Sequence, residues 1–170
     1  MCKSNVVLGA DPIIREVNKN DLNECLEVIH KSFSTVAEQF GLTKDNCPKH
    51  TSFIPIYFLE TQMNWGWHMF ALCSEEKIVG YMSLSKEDDG SFEFYNLAVL
   101  PELRHNGYGK ILLDYAKDKV KSLGGSKIKI GITLTSIAFV LTPECVEFAS
   151  TAKHRRFAKA KTANVAAKQP

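Results

Sequence analysis

The chain has 170 residues, 45% hydrophobic and 24% charged, enough apolar material for one compact domain. No stretch reaches the roughly 20 apolar residues of a membrane-crossing helix and residues 1–14 carry no continuous apolar leader, so the expectation is a cytoplasmic protein with no membrane partner. The formal charge of +2 is uneven: Lys153, Arg155, Arg156, Lys159, Lys161 and Lys168 sit in a tail without acids, which leaves fifteen basic residues against all nineteen acids and about −4 over residues 1–150.

In chain order, Ile13 to Val17 reads as a short strand, and Asn20 is placed to cap a helix whose apolar positions Leu22, Leu26, Ile29, Phe33, Val36, Ala37 and Phe40 recur at helical spacing before Gly41. A polar loop through Pro48 leads to Phe53–Trp65, an aromatic-rich segment with the spacing of a second short helix. His68–Cys73, Lys77–Lys86 and Phe92–Val99 read as successive antiparallel strands, separated by the turn runs Ser74-Glu75-Glu76 and Glu87-Asp88-Asp89-Gly90. A helix over Gly107–Leu123 follows, closed by Gly124-Gly125, then a strand over Lys127–Ile132. Thr133–Leu141 could extend that strand or make another. After Pro143 only a weak helix is suggested, and residues 142–170 read as an atypical, disordered basic tail beside a single domain over residues 1–141. The fold class is α/β of the α+β kind: a mixed, mostly antiparallel central sheet flanked by helices.

The run from Asn96 to Lys110 carries the chemistry, with the kernel Arg104-x-x-Gly107-x-Gly109 where a strand turns at Pro101 into an amphipathic helix. Glycines there let the backbone approach a ligand closely, and the unbonded amides of the first helical turn face outward with the positive end of the helix dipole. That combination suits a diphosphate, and Arg104 adds a forked, permanently charged donor. Three such residues occur by chance in roughly one chain in twenty-five of this length, so the strand before them and the helix and Gly-Gly break after them carry the weight. The pattern is neither G-x-G-x-x-G nor G-x-x-x-x-G-K-[ST], which removes the dinucleotide and nucleoside-triphosphate fingerprints.

On these residues, over about residues 12–132, the chain resembles the GNAT superfamily of acyl-CoA-dependent N-acyltransferases, whose signature at that junction is [R/Q]-x-x-G-x-[G/A]. The resemblance implies acetyl-CoA as co-substrate. It would be held by backbone groups of Leu97, Ala98 and Val99 along the pantetheine arm, on a strand that splays from the next. Arg104, His105, Asn106, Gly107, Tyr108, Gly109 and Lys110 would hold the pyrophosphate. The acetyl group would pass directly from thioester to amine. An alkyl amine is almost fully protonated at neutral pH, so a base or proton wire is implied. Glu93 is the candidate base: it precedes Leu97 by four residues, and uninterrupted strand alternation would put it on one face with Tyr95, Leu97 and Val99, partly buried and with a raised pKa.

Trp65, Trp67 and His68 could wall an acceptor pocket, though aromatics at this spacing also serve as core. His30 reads as structural. No histidine or cysteine grouping has metal-ligand spacing, the five cysteines read as reduced thiols, and no metal is expected.

The sequence departs from the family after Ile132. The usual helix with an asparagine and a tyrosine, the Gly-Phe turn and the closing strand are missing, and no tyrosine follows Tyr115 to protonate the departing thiolate. A diverged or altered reading frame would explain the change. The acceptor is a small-molecule or peptide amine on this resemblance. Two rival readings are a coenzyme-A-binding module with little catalysis, and a nucleic-acid-associated protein acting through its basic tail, the latter disfavoured by the mixed tail composition. Edge strands could pair between chains, leaving a homodimer open.

Overall fold

A computed structural model of the protein describes residues 11–130. Five strands form one sheet in sequence order: β1 (Ile13–Glu16), β2 (His68–Ser74), β3 (Lys77–Lys86), β4 (Phe92–Val99) and β5 (Ile128–Ile130). The first four are antiparallel and β4–β5 is parallel, as the crossover through a helix requires. Helices α1 (Leu22–Gln39) and α2 (Tyr57–Asn64) supply the core on one face, against Met69, Ala71, Ile78, Tyr81 and Ala98. Helix α3 (Tyr108–Ser122) covers the other, against Phe70, Leu72, Val79, Met82, Leu84, Phe92, Phe94 and Val99.

The start of α1 differs from the sequence expectation in its cap. Asn18, not Asn20, does the work: its side chain accepts from the Asn20 amide at 2.9 Å, while the Asn18 amide donates to Asp21 at 2.8 Å. This capping box closes a 3₁₀ turn over Lys19–Asp21 that runs into α1. Arg15 of β1 adds a two-pronged bond to the same carboxylate at 2.6 and 2.9 Å.

The segment expected as one helix from Phe53 to Trp65 is broken. Pro55 forces Ile54 into extended backbone (φ −63°, ψ 136°), separating a 3₁₀ turn over Thr51–Phe53 from α2. Both α1 and α3 end where glycine predicts. Beyond α3, Gly124 is left-handed at φ +77° and the Gly125 amide reaches back to the Val120 carbonyl at 2.9 Å; Gly41 and Leu42 repeat the pattern after α1.

Two other glycines let α3 sit down on the sheet. A methyl at Gly80 would lie 3.1 Å from Leu112, and one at Gly125 would lie 2.6–2.7 Å from Phe92 and Val120. The expected hairpin turn at Ser74–Glu76 is tight, with both Glu75 and Glu76 left-handed. The last strand expectation, Lys127–Ile132, holds as Ile128–Ile130; the extension through Leu141, the weak helix after Pro143 and the basic tail lie outside the described residues.

Candidate functional site

The glycine-bearing junction stands where the sequence puts it. After β4 the chain passes through a 3₁₀ turn at Pro101–Leu103, whose last bond is the Arg104 amide to the Pro101 carbonyl at 3.3 Å, and enters α3 through Gly107. The backbone is left-handed at His105 (φ +66°) and again at Gly107 (φ +83°, ψ −3°). The first bond of α3 joins the Ile111 amide to the Gly107 carbonyl at 3.0 Å, so the Tyr108 and Gly109 amides precede any intrahelical acceptor. Among the described residues, nothing beyond its chain neighbours lies within 4 Å of a Cβ placed on Gly107. The mouth of α3 is therefore open, with peptide N–H groups and the positive end of the helix dipole at it.

Other members of the run frame this mouth. The Asn106 side chain donates to the Leu103 carbonyl at 3.3 Å, and Tyr108 is half-buried against the α3 core. Lys110 pairs with Asp114 one turn along at 2.5 Å, and His105 is exposed. Arg104 departs from the expectation that its fork faces the phosphate. Its Nη1 donates to Thr35 Oγ1 at 3.0 Å, and its Nη2 donates to the Ser32 carbonyl at 2.5 Å and to Ser32 Oγ at 3.2 Å, all on α1.

Strand β4 also departs from the simple alternation expected of it. Tyr81 faces Ala98 across the ladder and Ser83 faces Tyr95, so one β3 residue stands against two of β4, Asn96 and Leu97. Asn96 takes up the extra residue in a left-handed conformation at φ +52°. Leu97 and Val99 consequently pack on the α3 face with Phe92 and Phe94, while Ala98 packs with α1 and α2. Glu93 does not share a face with Leu97 and Val99. The bulge leaves it with Tyr95 on the opposite, α1–α2 face, half-buried between Ser85 of β3 and Lys129 of β5. Parallel pairing with β5 covers Phe92–Phe94, upstream of the three residues expected along the pantetheine arm.

The aromatic group is likewise divided. Trp67 stacks on Tyr95 with centroids 4.7 Å apart and touches Trp65 at 6.2 Å, forming a ladder that ends in the 61% exposed Trp65. The His68 ring turns to the α3 face, 6.2 Å from Phe92, where burial and then Lys119 hold its pKa below the ordinary imidazole value. A cleft of about 100 Å³ between the end of β1 and the start of β2 is lined by Glu16, Val17, Met63, Trp67, His68 and Met69. It is small beside the ~300–1,000 Å³ of usual ligand sites. Among the described residues no group of three or more His, Cys, Asp or Glu is arranged to hold a metal ion, and no helix is long and apolar enough to cross a membrane.

With this geometry in view, a family model described as acetyltransferase (GNAT) family matches residues 37–140. The chain belongs to the GNAT acetyltransferase family. Solved structures agree on the fold. PaiA N-acetyltransferase of Thermoplasma acidophilum, in complex with coenzyme A, is 19% identical over 75% of this chain and 84% of its own, with a TM-score of 0.59. A GNAT acetyltransferase of Brucella melitensis, in complex with acetyl-CoA, is 15% identical over 73% and 77% at 0.59. A GNAT acetyltransferase of Staphylococcus aureus Mu50 is 22% identical over 75% and 78% at 0.58. No curated protein matches the sequence.

Within this GNAT domain, three further residues touch the candidate site residues: Tyr95, Ser32 and Thr35. Tyr95 lies two positions along the strand from Glu93 and carries the ladder that Trp67 extends. Ser32 interrupts the apolar stripe of α1 between Ile29 and Val36 while remaining only 3% exposed, and the Thr35 hydroxyl donates to the Ser32 carbonyl. A hydroxyl buried on an apolar stripe needs a polar partner, and here the partner is Arg104.

Proposed function

We propose that the protein is an N-acetyltransferase that docks acetyl-CoA at the mouth of α3 and transfers the acetyl group to a primary amine. The observation that carries this reading is the open, left-handed turn at Gly107, ahead of helix amides that have no intrahelical acceptor and, among the described residues, with nothing beyond its chain neighbours where a Gly107 side chain would project. Backbone donors fixed in advance and aligned with a helix dipole favour a diphosphate and cost little reorganisation when it arrives. Family membership supports a thioester co-substrate, and the CoA and acetyl-CoA complexes of structural relatives support the choice of acyl carrier.

In this reading the amides of His105 to Lys110 hold the pyrophosphate and the backbone of Leu97 to Val99 lies along the pantetheine arm. Acetyl-CoA supplies an activated carbonyl when bound. Glu93 takes the proton that the attacking amine must lose, directly or through water, as the new C–N bond replaces the thioester C–S bond, and coenzyme A leaves as a thiolate that takes its proton from solvent. Its half-buried place beside Tyr95 on the α1–α2 face, with the Trp65–Trp67–Tyr95 ladder along that face, supports an amine acceptor approaching from the side opposite α3. His68, turned to the α3 face, takes no part in that wall.

Calorimetric titration with acetyl-CoA, followed by thiol release across a panel of small amines and N-terminal peptides, tests the proposal. Wild type should bind, and Gly107→Val should lose most of its affinity because its side chain would enter the phosphate's approach. Equal affinity in wild type and Gly107→Val would remove the docking site, and binding without thiol release from any acceptor would leave a coenzyme-binding module in place of a transferase.

A further inference from the structure

The coenzyme loop and α1 are joined through one side chain, and the bonds that join them bear on how the mouth keeps its shape. Arg104 opens the loop, and its guanidinium lies across α1 one turn before the helix ends. Nη1 bonds Thr35 Oγ1 at 3.0 Å, and Nη2 bonds the Ser32 carbonyl and hydroxyl at 2.5 and 3.2 Å. The Thr35 hydroxyl is itself oriented, because its own hydrogen goes to the Ser32 carbonyl at 3.0 Å. Its lone pairs are thereby left pointing toward the arginine. Ser32 is 3% exposed while Thr35 and Arg104 are half-buried, so the seat lies at the edge of the core of α1.

All three acceptors are neutral oxygens, and among the described residues no carboxylate forms an ion pair with Arg104. An arginine meant only to bridge two elements could do so with a carboxylate, which would cancel its charge. Held by neutral oxygens, it ties the elements together and keeps a full positive charge behind the loop. With three hydrogen bonds directed at α1, both terminal nitrogens are engaged there, so the Nη1–Nη2 edge of the fork faces α1.

We propose that Arg104 is a positioning residue, seated on Ser32 and Thr35 of α1, that holds the turn from His105 to Gly109 in its anion-receiving shape and does not itself ligate the phosphate. The inference rests on the reading that this turn docks the pyrophosphate of acetyl-CoA. It makes α1, some seventy residues upstream of the turn, part of the coenzyme site without touching the coenzyme. A shift of α1 is transmitted to the mouth through three hydrogen bonds.

The test uses the full chain with Thr35→Val, which keeps the side-chain shape but removes the acceptor, and Thr35→Ser, which restores it. Two quantities are read: acetyl-CoA affinity by calorimetry, and hydrogen exchange of the His105–Gly109 amides in the unliganded protein. Part of a bond to a charged group is lost from the loop, which should weaken acetyl-CoA binding roughly tenfold in Thr35→Val. Exchange at residues 105–109 should quicken while that of β2 and β3 is unchanged, and Thr35→Ser should match wild type in both. Wild-type or tighter affinity in Thr35→Val would overturn the proposal, tighter binding meaning that a released Arg104 reaches the phosphate. Wild-type protein that fails to bind acetyl-CoA would instead overturn the docking reading, and this proposal with it.

Discussion

Gly107→Ala isolates the backbone contribution to the candidate coenzyme site. At φ +83° an added Cβ crowds the neighbouring carbonyl, which costs about 1–2 kcal/mol in the left-handed region. No more distant clash adds to this, since beyond its chain neighbours nothing lies within 4 Å of the new methyl. The unfolded chain gives back about 0.4–1 kcal/mol, because alanine restricts it more than glycine does. A net loss of about 1 kcal/mol corresponds to a Tm decrease of about 2–4 °C for a chain of this size. The functional cost should be larger, because relief of the strain would rotate the peptide groups that face the mouth. We expect acetyl-CoA affinity to fall at least tenfold, about 1.4 kcal/mol. Gly41→Ala is the matched control: φ is +61° there, with equally open surroundings but at the far end of α1. It should show a similar Tm decrease in a circular-dichroism melt and wild-type coenzyme affinity in the calorimeter. Equal affinity in all three proteins would refute the docking role of the turn, and an unchanged Tm in Gly107→Ala would refute the strain argument.

Three further outcomes are expected. Asp21→Asn removes the charge that binds Arg15 and the Asn18 amide and should cost about 1.5 kcal/mol by urea unfolding at neutral pH, towards the lower end for bonds to a charged group because Arg15 is 42% exposed. Arg15 foremost, and then the Asn18 amide, hold the Asp21 carboxyl below its ordinary range, so its stabilisation is complete above the unfolded value near 3.9 and fades as pH drops through the folded value. The acid limb of the stability curve should therefore be flatter in Asp21→Asn; an identical limb would show that the carboxylate is not held this way. Leu112→Ala, at a site with no solvent exposure where α3 meets Gly80, should lose about 2–5 kcal/mol in the same assay, and a loss under about 1 kcal/mol would contradict the close seating of α3 on β3. Glu93→Gln should reduce kcat by roughly 10²–10⁴-fold in a thiol-release assay with acetyl-CoA affinity kept, whereas kcat within about twofold of wild type would exclude Glu93 as the base.

The fold was legible in the sequence wherever a local rule settles the backbone. Gly41 and Gly124 mark helix ends because left-handed residues are needed there, and the strands around 74–76 and 87–90 follow from turn chemistry and apolar runs. The Pro55 interruption was within reach of the same reasoning, since the residue before proline is driven out of the helical region. Two features were out of reach. A period of two carries no sign of an inserted residue, so the bulge at Asn96 reversed the facing of every later β4 side chain relative to Glu93. The seat of Arg104 depends on residues 69 and 72 positions upstream, and no spacing rule connects them. Asn18 and Asn20 are equally good caps by type, and it is the reciprocal bond of the Asn18 amide to Asp21, three residues on, that marks Asn18 as the cap.

The extra residue in β4 also lets one short strand serve two compartments. Upstream of Asn96 the odd-numbered Glu93 and Tyr95 look toward α1 and α2 and the even-numbered Phe92 and Phe94 toward α3, whereas downstream the odd-numbered Leu97 and Val99 look toward α3 and Ala98 toward α1 and α2. Deleting Asn96 would therefore do more than shorten a loop. With the downstream half pinned by α3, the upstream half would turn over, sending the Glu93 carboxylate in among Leu112, Ala116 and Val120 and expelling Phe92 and Phe94 to the other layer. The insertion acts as a half-twist in the wiring of the sheet, and the protein cannot lose it without exchanging one helical layer for the other over half of β4.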